Sequence, residues 1–425
     1  MKKQMICYYY DRITSNLRLF FKWLLLASIS GLIVGALSSL FAFCMNYVTA
    51  FRAAHSSIIY FLPAAGCFIV FLYSLFQYKN DKGTNLVLST IHAESELPFR
   101  MAPLIFISTV ITHLFGGSAG REGAALQLGG SIGNQLGRWM HLDENDTRVI
   151  VMCGMSAAFS AVFGTPMAAA IFSLEVVSVG IMYYAALMPC IFSSIIASTF
   201  SAKMGIDAEN FTILNIPDLH IIPAAKITVL AMLCAAVSVL FCMLLHGTGN
   251  LFRKYLKNPY IRIITASFMI LLLTKLLGTT DYLGAGIPVI DETIHTHVEP
   301  MAFLWKMIFT AITLEAGFRG GEIVPSFFIG ATFGCLFGTL TGISPSLCAA
   351  TGMIAVFCGV TNCPITSMFI SFELFGFAGV PYFLIAISVS YLLSGYYGLY
   401  KDQTIVYSKY KTQFVNRKTH DEDIF

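Results

Sequence analysis

The residues best placed to do chemistry lie in the run Gly116-Gly-Ser-Ala-Gly-Arg-Glu-Gly-Ala-Ala-Leu-Gln-Leu-Gly-Gly130. Glycines let a backbone approach an ion closely. The spacing predicts a helix starting near Gly123. Its free N–H groups and its dipole attract negative charge. Glu122 stands at that start, so its carboxylate can occupy the anion position as a tethered mimic. A proton on Glu122 cancels the charge and frees the place, so anion and proton compete for one seat. A plain helix cap is the simpler use of an acidic residue there.

The elements that must position this run are apolar. Of the 425 residues, 56% are hydrophobic and 12% charged, and mean hydropathy is +0.74. Soluble domains carry about 25% charged residues. The composition excludes a soluble enzyme, a disordered chain and a nucleic-acid binder. It also argues against a β-barrel, whose spans alternate in polarity. The fold class expected is an all-α polytopic membrane protein. Burying a charge at mid-membrane costs about 2.5–3.5 kcal/mol on insertion scales, so Glu122 needs stabilising partners such as helix N-terminal amides. The net charge of +3 implies no polyanionic partner.

Long apolar segments cover about 18–48, 57–77, 222–246 and 259–278. Shorter ones cover about 101–115, 123–140, 148–162, 302–316, 325–342, 347–360, 365–376 and 380–398, with a longer stretch at 167–203. Several fall below the roughly 20 residues that span a bilayer. Gly and Pro interrupt them. Broken helices in lipid are tolerated where they are buried in protein or line a cavity, as in transporters and channels. The first apolar segment runs far beyond a signal-peptide core. Six of the eleven cysteines (Cys44, Cys67, Cys153, Cys190, Cys234 and Cys242) lie inside apolar runs and read as small buried side chains.

The chain repeats itself. Gly154-Met-Ser-Ala-Ala-Phe-Ser-Ala-Val-Phe-Gly-Thr-Pro166, ending in Ser173-Leu-Glu175, parallels Gly352-Met-Ile-Ala-Val-Phe-Cys-Gly-Val-Thr-Asn-Cys-Pro364, ending in Ser371-Phe-Glu373. At the same offset Arg121-Glu-Gly123 faces Arg319-Gly-Gly321. The segments expected are an N-terminal piece 1–17, a first membrane repeat 18–205, a second 206–400 and a C-terminal piece 401–425. The first long helix follows a basic N-terminus, while the first long helix of the second half precedes Arg253-Lys254 and Lys257. The positive-inside rule then points equivalent helices in opposite directions. This is an inverted-topology repeat, with the substrate site near the midplane between the halves. Both termini would be cytoplasmic, in a prokaryotic plasma membrane. Glu175 and Glu373 occupy matching positions and read as structural groups at helix ends.

Gly120-Arg-Glu-Gly123, Gly164-Thr-Pro166 and Gly320-Gly-Glu-Ile-Val-Pro325, in that order, resemble the chloride channel/transporter (CLC) family over about residues 18–410. The resemblance implies an anion pathway within each subunit of a homodimer, with halide and proton as cargo. It implies four pieces at the anion site. The first loop would be Lys82-Gly-Thr-Asn-Leu86, with Gly83, Thr84 and Asn85 near the ion and Thr84 offering a hydroxyl. The second is the gating Glu122, flanked by Gly120, Arg121 and Gly123. The third is Gly321-Glu-Ile-Val-Pro325, which brings Ile323 and Val324. The fourth is a tyrosine near the C-terminus, matched by Tyr407 in Thr404-Ile-Val-Tyr407, although interfacial anchoring is the common use of a membrane tyrosine.

Within the family, Glu322 and Pro325-Ser-Phe-Phe328 resemble the fluoride/proton antiporter branch. The second of the paired glutamates that relays protons in chloride exchangers is replaced by Val176. Glu322 would be the second proton group. Two intramembrane carboxylates beside one anion site repel each other, and backbone amides or Arg319 are the static alternative for Glu322. Phe327 and Phe328 could turn positive ring edges to a small anion or simply pack in the core. Thr84, Val87 and Val324 depart from the fluoride branch, so a chloride channel or chloride/proton exchanger stays open. No HExxH or GxSxG run is present, and an enzyme is not expected. His295-Thr-His297 reads as a solvated acidic loop. Neither cofactor nor metal is expected.

Overall fold

The computed structural model describes residues 2–78, 83–92, 97–295, 299–411 and 413–419, with side chains from Tyr10 onward. Sixteen α-helices are present among them. The first eight are α1 (Lys2–Ala54), α2 (Leu62–Leu75), α3 (Thr84–Ile91), α4 (Met101–Leu114), α5 (Glu122–Trp139), α6 (Glu144–Phe163), α7 (Pro166–Glu175) and α8 (Leu187–Lys203). After an irregular connector at 204–220 come α9 (Ile221–Tyr255), α10 (Pro259–Leu277), α11 (Ile287–His295), α12 (Ala302–Ala316), α13 (Ile323–Thr341), α14 (Pro345–Thr361), α15 (Pro364–Phe375) and α16 (Val380–Leu393). Seven helical segments are long and apolar enough to cross a bilayer, and the chain is a multi-pass integral membrane protein.

The two sets of eight pack alike. In the first, α1 lies against α6 and α8, α4 against α5, and α5 against α6. In the second, α9 lies against α14 and α16, α12 against α13, and α13 against α14. The short α3 touches α5 and α6, as α11 touches α13 and α14. This is the two-repeat inverted architecture, with short helices meeting between the halves. Glycine makes the central crossings possible. A Cβ on Gly129 or on Gly154 would run into the carbonyl of the other, and Gly330 and Gly352 stand in the same relation. Only residues without side chains let two helix backbones come that close.

These crossings correct the repeat register. Gly154 and Gly352 are 198 residues apart, but Gly129 and Gly330 are 201 apart. The difference lies in α6, which has 20 residues against 17 in α14. Upstream of it the equivalent positions are therefore Gly120 and Gly321, which pair with each other as an antiparallel bridge. Arg121 is thus matched by Glu322, not by Arg319. The longer register cannot be read from the downstream motif, because the three extra residues sit inside a helix.

Other expectations also change. The apolar stretch 167–203 is two helices, parted at β1 (Ser178–Val179). Gly180 there has φ +90°, a conformation that ends helical structure readily. His295 closes a helix rather than lying in a loop, and His297 lies outside the described residues. The chain is not purely helical. β1 pairs in parallel with β2 (Thr404–Tyr407), which pairs antiparallel with β3 (Phe414–Lys418). Gln403, just before β2, donates to Val176 O (3.0 Å) and Thr361 O (2.9 Å) and accepts from Asn362 Nδ2 (3.0 Å). Lys409 reaches Asn362 Oδ1, Tyr391 O and Ser394 Oγ, where α14 and α16 end. Cations and donors suit helix C-termini.

Candidate functional site

Three helices begin at one place. α5 starts with Glu122, α13 with Ile323 after Glu322 as its N-cap, and α3 with Thr84 after Gly83. A Cβ on Gly123 would lie 2.9 Å from Gly321 Cα, 3.3 Å from Glu322 Oε2 and 3.4 Å from Thr84 Oγ1. The glycine is thus what lets all three loops meet. Gly120 N–H donates to Gly321 O at 2.7 Å, and Gly321 N–H donates to Gly120 O at 2.8 Å. The first N–H groups of each helix have no intrahelical acceptor. Their partial positive charge is directed into the shared junction, which suits an anion.

Glu122 is 0% exposed. Its Oε2 accepts from the Arg121 backbone N–H at 3.1 Å, while Oε1 makes no hydrogen bond and lies 3.5 Å from Arg121 Nε. Glu322 Oε2 is likewise buried without a hydrogen-bond partner. Two carboxylates therefore sit across the Gly120–Gly321 bridge, each with an oxygen in hand. A buried polar atom left unpaired is costly, so such atoms mark where a proton or a ligand belongs.

The remaining predicted residues divide. Thr84 is buried beside Gly123 and accepts from Gln127 Nε2 at 3.3 Å. Ile323 and Val324 are buried in the first turn of α13. Lys82 lies outside the described residues. Arg121 points away from the junction, donating to Asn46 Oδ1 (2.9 Å) and Glu209 Oε1 (2.8 Å). These three line a cavity of about 560 Å³, together with Arg52 and His113. Asn85 turns its side-chain oxygen to Asp402 N–H at 3.1 Å, tying α3 to the C-terminal segment.

The two phenylalanines are fully buried among other groups. Phe327 packs on Phe163 and Phe357, with ring centroids 5.7 and 5.1 Å apart. Phe328 lies with its face 5.1 Å from Lys306 Nζ. Tyr407 is a correction. It sits on β2, 46% exposed, edge-on to Phe414, because the chain leaves the helical body before residue 404. Tyr400, unlike Tyr407, is buried. It is 1% exposed, its hydroxyl has no partner, and it lies within electrostatic reach of Glu322 and Glu122.

Sequence reasoning also passed over Gln127, whose Oε1 is buried without a partner. A polar residue inside an otherwise apolar helix was the available signal. For Tyr400 there was little signal, since Tyr396, Tyr397 and Tyr400 crowd the same turn. Glu175 and Glu373 serve as caps: Glu175 accepts from Ile365 N, Thr366 N and Thr366 Oγ1, and Glu373 accepts from Met167 N and Ala168 N.

Known proteins share this sequence pattern and fold. The chain is 35% identical over 396 residues to a chloride/fluoride channel protein of Pseudomonas syringae pv. tomato, covering 92% of this chain and 88% of the relative. The crystal structure of a CLC-type fluoride/proton antiporter superposes with a TM-score of 0.87 at 34% identity, covering 90% of this chain and 98% of that one. A slow cyanobacterial Cl⁻/H⁺ antiporter shares the fold, with a TM-score of 0.75 at 18% identity, over 88% and 94% of the two chains. The voltage gated chloride channel family model matches residues 65–395. On that match and on the Pseudomonas relative, the chain belongs to the voltage-gated chloride channel (CLC) family of membrane ion channels and transporters.

Proposed function

We propose that this chain exchanges a halide for protons across the membrane, with fluoride export driven by inward proton movement. One observation carries the reading. Two carboxylates, the buried Glu122 and Glu322 with its buried Oε2, each keep an oxygen without a hydrogen bond where three helix N-termini converge. Ionised, Glu122 competes with the anion for those N-termini. Protonated, it loses its attraction to them and yields to the ion. Glu322 receives or supplies the proton on the other side of the Gly120–Gly321 bridge. Thr84, Gly83, Gly123, Ile323 and Val324 contribute a hydroxyl and backbone amides. The Tyr400 hydroxyl donates to the ion in place of Tyr407.

The names of the Pseudomonas relative and of the fluoride/proton antiporter support fluoride, as does Glu322 in the third loop. The Thr84 hydroxyl favours a second reading, a chloride channel or chloride/proton exchanger. Membership of the family supports a homodimer with one pathway per subunit. The positive-inside rule supports cytoplasmic termini in a plasma membrane, with repeats over about residues 18–205 and 206–400.

Efflux from proteoliposomes, read by fluoride- and chloride-selective electrodes with simultaneous pH recording, tests the proposal. The expected result is fluoride efflux accompanied by stoichiometric proton uptake. Efflux of either anion without proton movement overturns the antiport reading, and chloride efflux faster than fluoride selects the second one.

A further inference from the structure

The gate region holds a carboxylate that this cycle leaves unused. Glu209 lies on the connector 204–220 between the halves. That connector is fixed at the corner of α6 and α7. Glu209 N–H donates to Phe163 O at 3.4 Å, Ala208 packs on Gly164, and Phe211 N–H donates to Leu374 O at 2.9 Å. Glu209 is thereby laid over Arg121. Its Oε1 takes Arg121 Nη2 at 2.8 Å, while Asn46 takes Nη1 at 2.9 Å. Only Nε is left towards Glu122, at 3.5 Å from Oε1, and it makes no hydrogen bond there.

A guanidinium next to a carboxylate ordinarily grips it through two parallel N–H bonds. Here both terminal nitrogens are occupied elsewhere, although Arg121 and Glu122 are adjacent in sequence. A bidentate Arg121–Glu122 pair would hold the gate ionised and in place. We infer that Glu209 is a positioning residue of the gate: by engaging Arg121 it denies Glu122 a bidentate, hydrogen-bonded cationic grip, leaving only the Nε contact at 3.5 Å, and keeps it available to a proton. The inference rests on the gating role proposed for Glu122. The same grip keeps Arg121 in the wall of the 560 Å³ cavity, where its charge can draw anions towards the junction.

Other charged groups face this arrangement. Arg52 comes from α1, His113 from α4 and Asp281 from the segment before α11, all lining the cavity. Lys306 of α12 is buried nearby and donates to Tyr282 O and Gly284 O. Among the described residues Glu209 is the carboxylate hydrogen-bonded to the Arg121 side chain.

The test is halide efflux from proteoliposomes of the full chain as external pH is varied, with proton uptake recorded. Glu209→Gln is expected to slow turnover about tenfold at neutral pH and to displace the pH profile by about one unit towards acid, the scale of one added opposite charge beside a carboxylate. Glu209→Asp should show a smaller displacement in the same direction. In an Arg121→Gln background Glu209→Gln should cause no displacement. A displacement that persists there means that Glu209 acts by its charge alone, and the positioning role falls. A wild-type profile in Glu209→Gln overturns the inference while leaving the gate reading intact, provided that the wild type couples. Should Glu209→Gln fail to fold, a wild-type profile in Glu209→Asp assigns Glu209 a structural role and also overturns it. Absence of coupled efflux in the wild type overturns both.

Discussion

Four carboxylates sit between the two halves, in two pairs that the fold treats in opposite ways. Glu175 and Glu373 cap helices across the repeat boundary, each using both oxygens on N-terminal donors of α15 or α7. Glu122 and Glu322 stand at the starts of α5 and α13, and each leaves one oxygen without a hydrogen bond. Both pairs lie at helix N-termini, with Glu175 and Glu122 the buried member of each. The first pair shows what such a site looks like when a carboxylate is permanent. In the proposed cycle the second is a site where another negative charge, or a proton, takes its turn. The pairs differ in hydrogen-bond satisfaction, and the proposed gate rests on that difference.

The contrast can be broken most decisively at Glu122. Glu122→Gln should abolish proton coupling and lower proton-driven efflux by roughly a hundredfold or more, the lower range for loss of a proton-transfer group. Coupled efflux at the wild-type rate would erase the distinction between the pairs. Glu322→Gln should act next most strongly. Proton uptake per anion falls to near zero, while anion binding, measured by calorimetry, stays within a few-fold. A large loss of binding would instead make Glu322 part of the ion's own coordination.

The capping pair sharpens the comparison from the other side. Glu175→Ala removes acceptors from Ile365 and Thr366 and should cost about 2 kcal/mol of stability, seen as a lower melting temperature in detergent. Protein that survives should transport with an unchanged proton-to-anion ratio. An altered ratio would give Glu175 a share of the chemistry. The smallest effect is expected at the tyrosines. Tyr400→Phe should weaken anion affinity by about tenfold, the worth of one hydrogen bond to a charged group, and Tyr407→Phe should leave it unchanged. The reverse order would return the pore to β2.

Much of this was legible in the sequence because glycine-flanked acidic residues have few uses inside an apolar chain. Glu122, Glu322 and the third loop declared themselves by residue type and order. The helical membrane class followed from composition, and the repeat from Gly154 and Gly352. What stayed hidden depended on register. The three extra residues of α6 shift the upstream match, so Arg121 seemed to answer Arg319. Sequence does not choose the tyrosine, because four candidates lie within twelve residues of one another; burial sets Tyr400 apart from Tyr407. Asn85 was close to the right loop, but a side chain one position along a helix points elsewhere. Glu209 carried no motif at all; its place is set by a connector without regular structure.

The small sheet at the C-terminal end has a consequence for biogenesis. β1 belongs to the first half, yet its partner β2 is separated from it by more than two hundred residues of chain, and Gln403 and Lys409 are bonded to helix ends on both sides of the seam. A nascent polypeptide can insert all sixteen helices into lipid before that clasp exists. Final closure of the transport body must wait for residues 403–418 to leave the ribosome, so a chain cut short before residue 403 should insert normally and yet remain open to proteolysis along the seam.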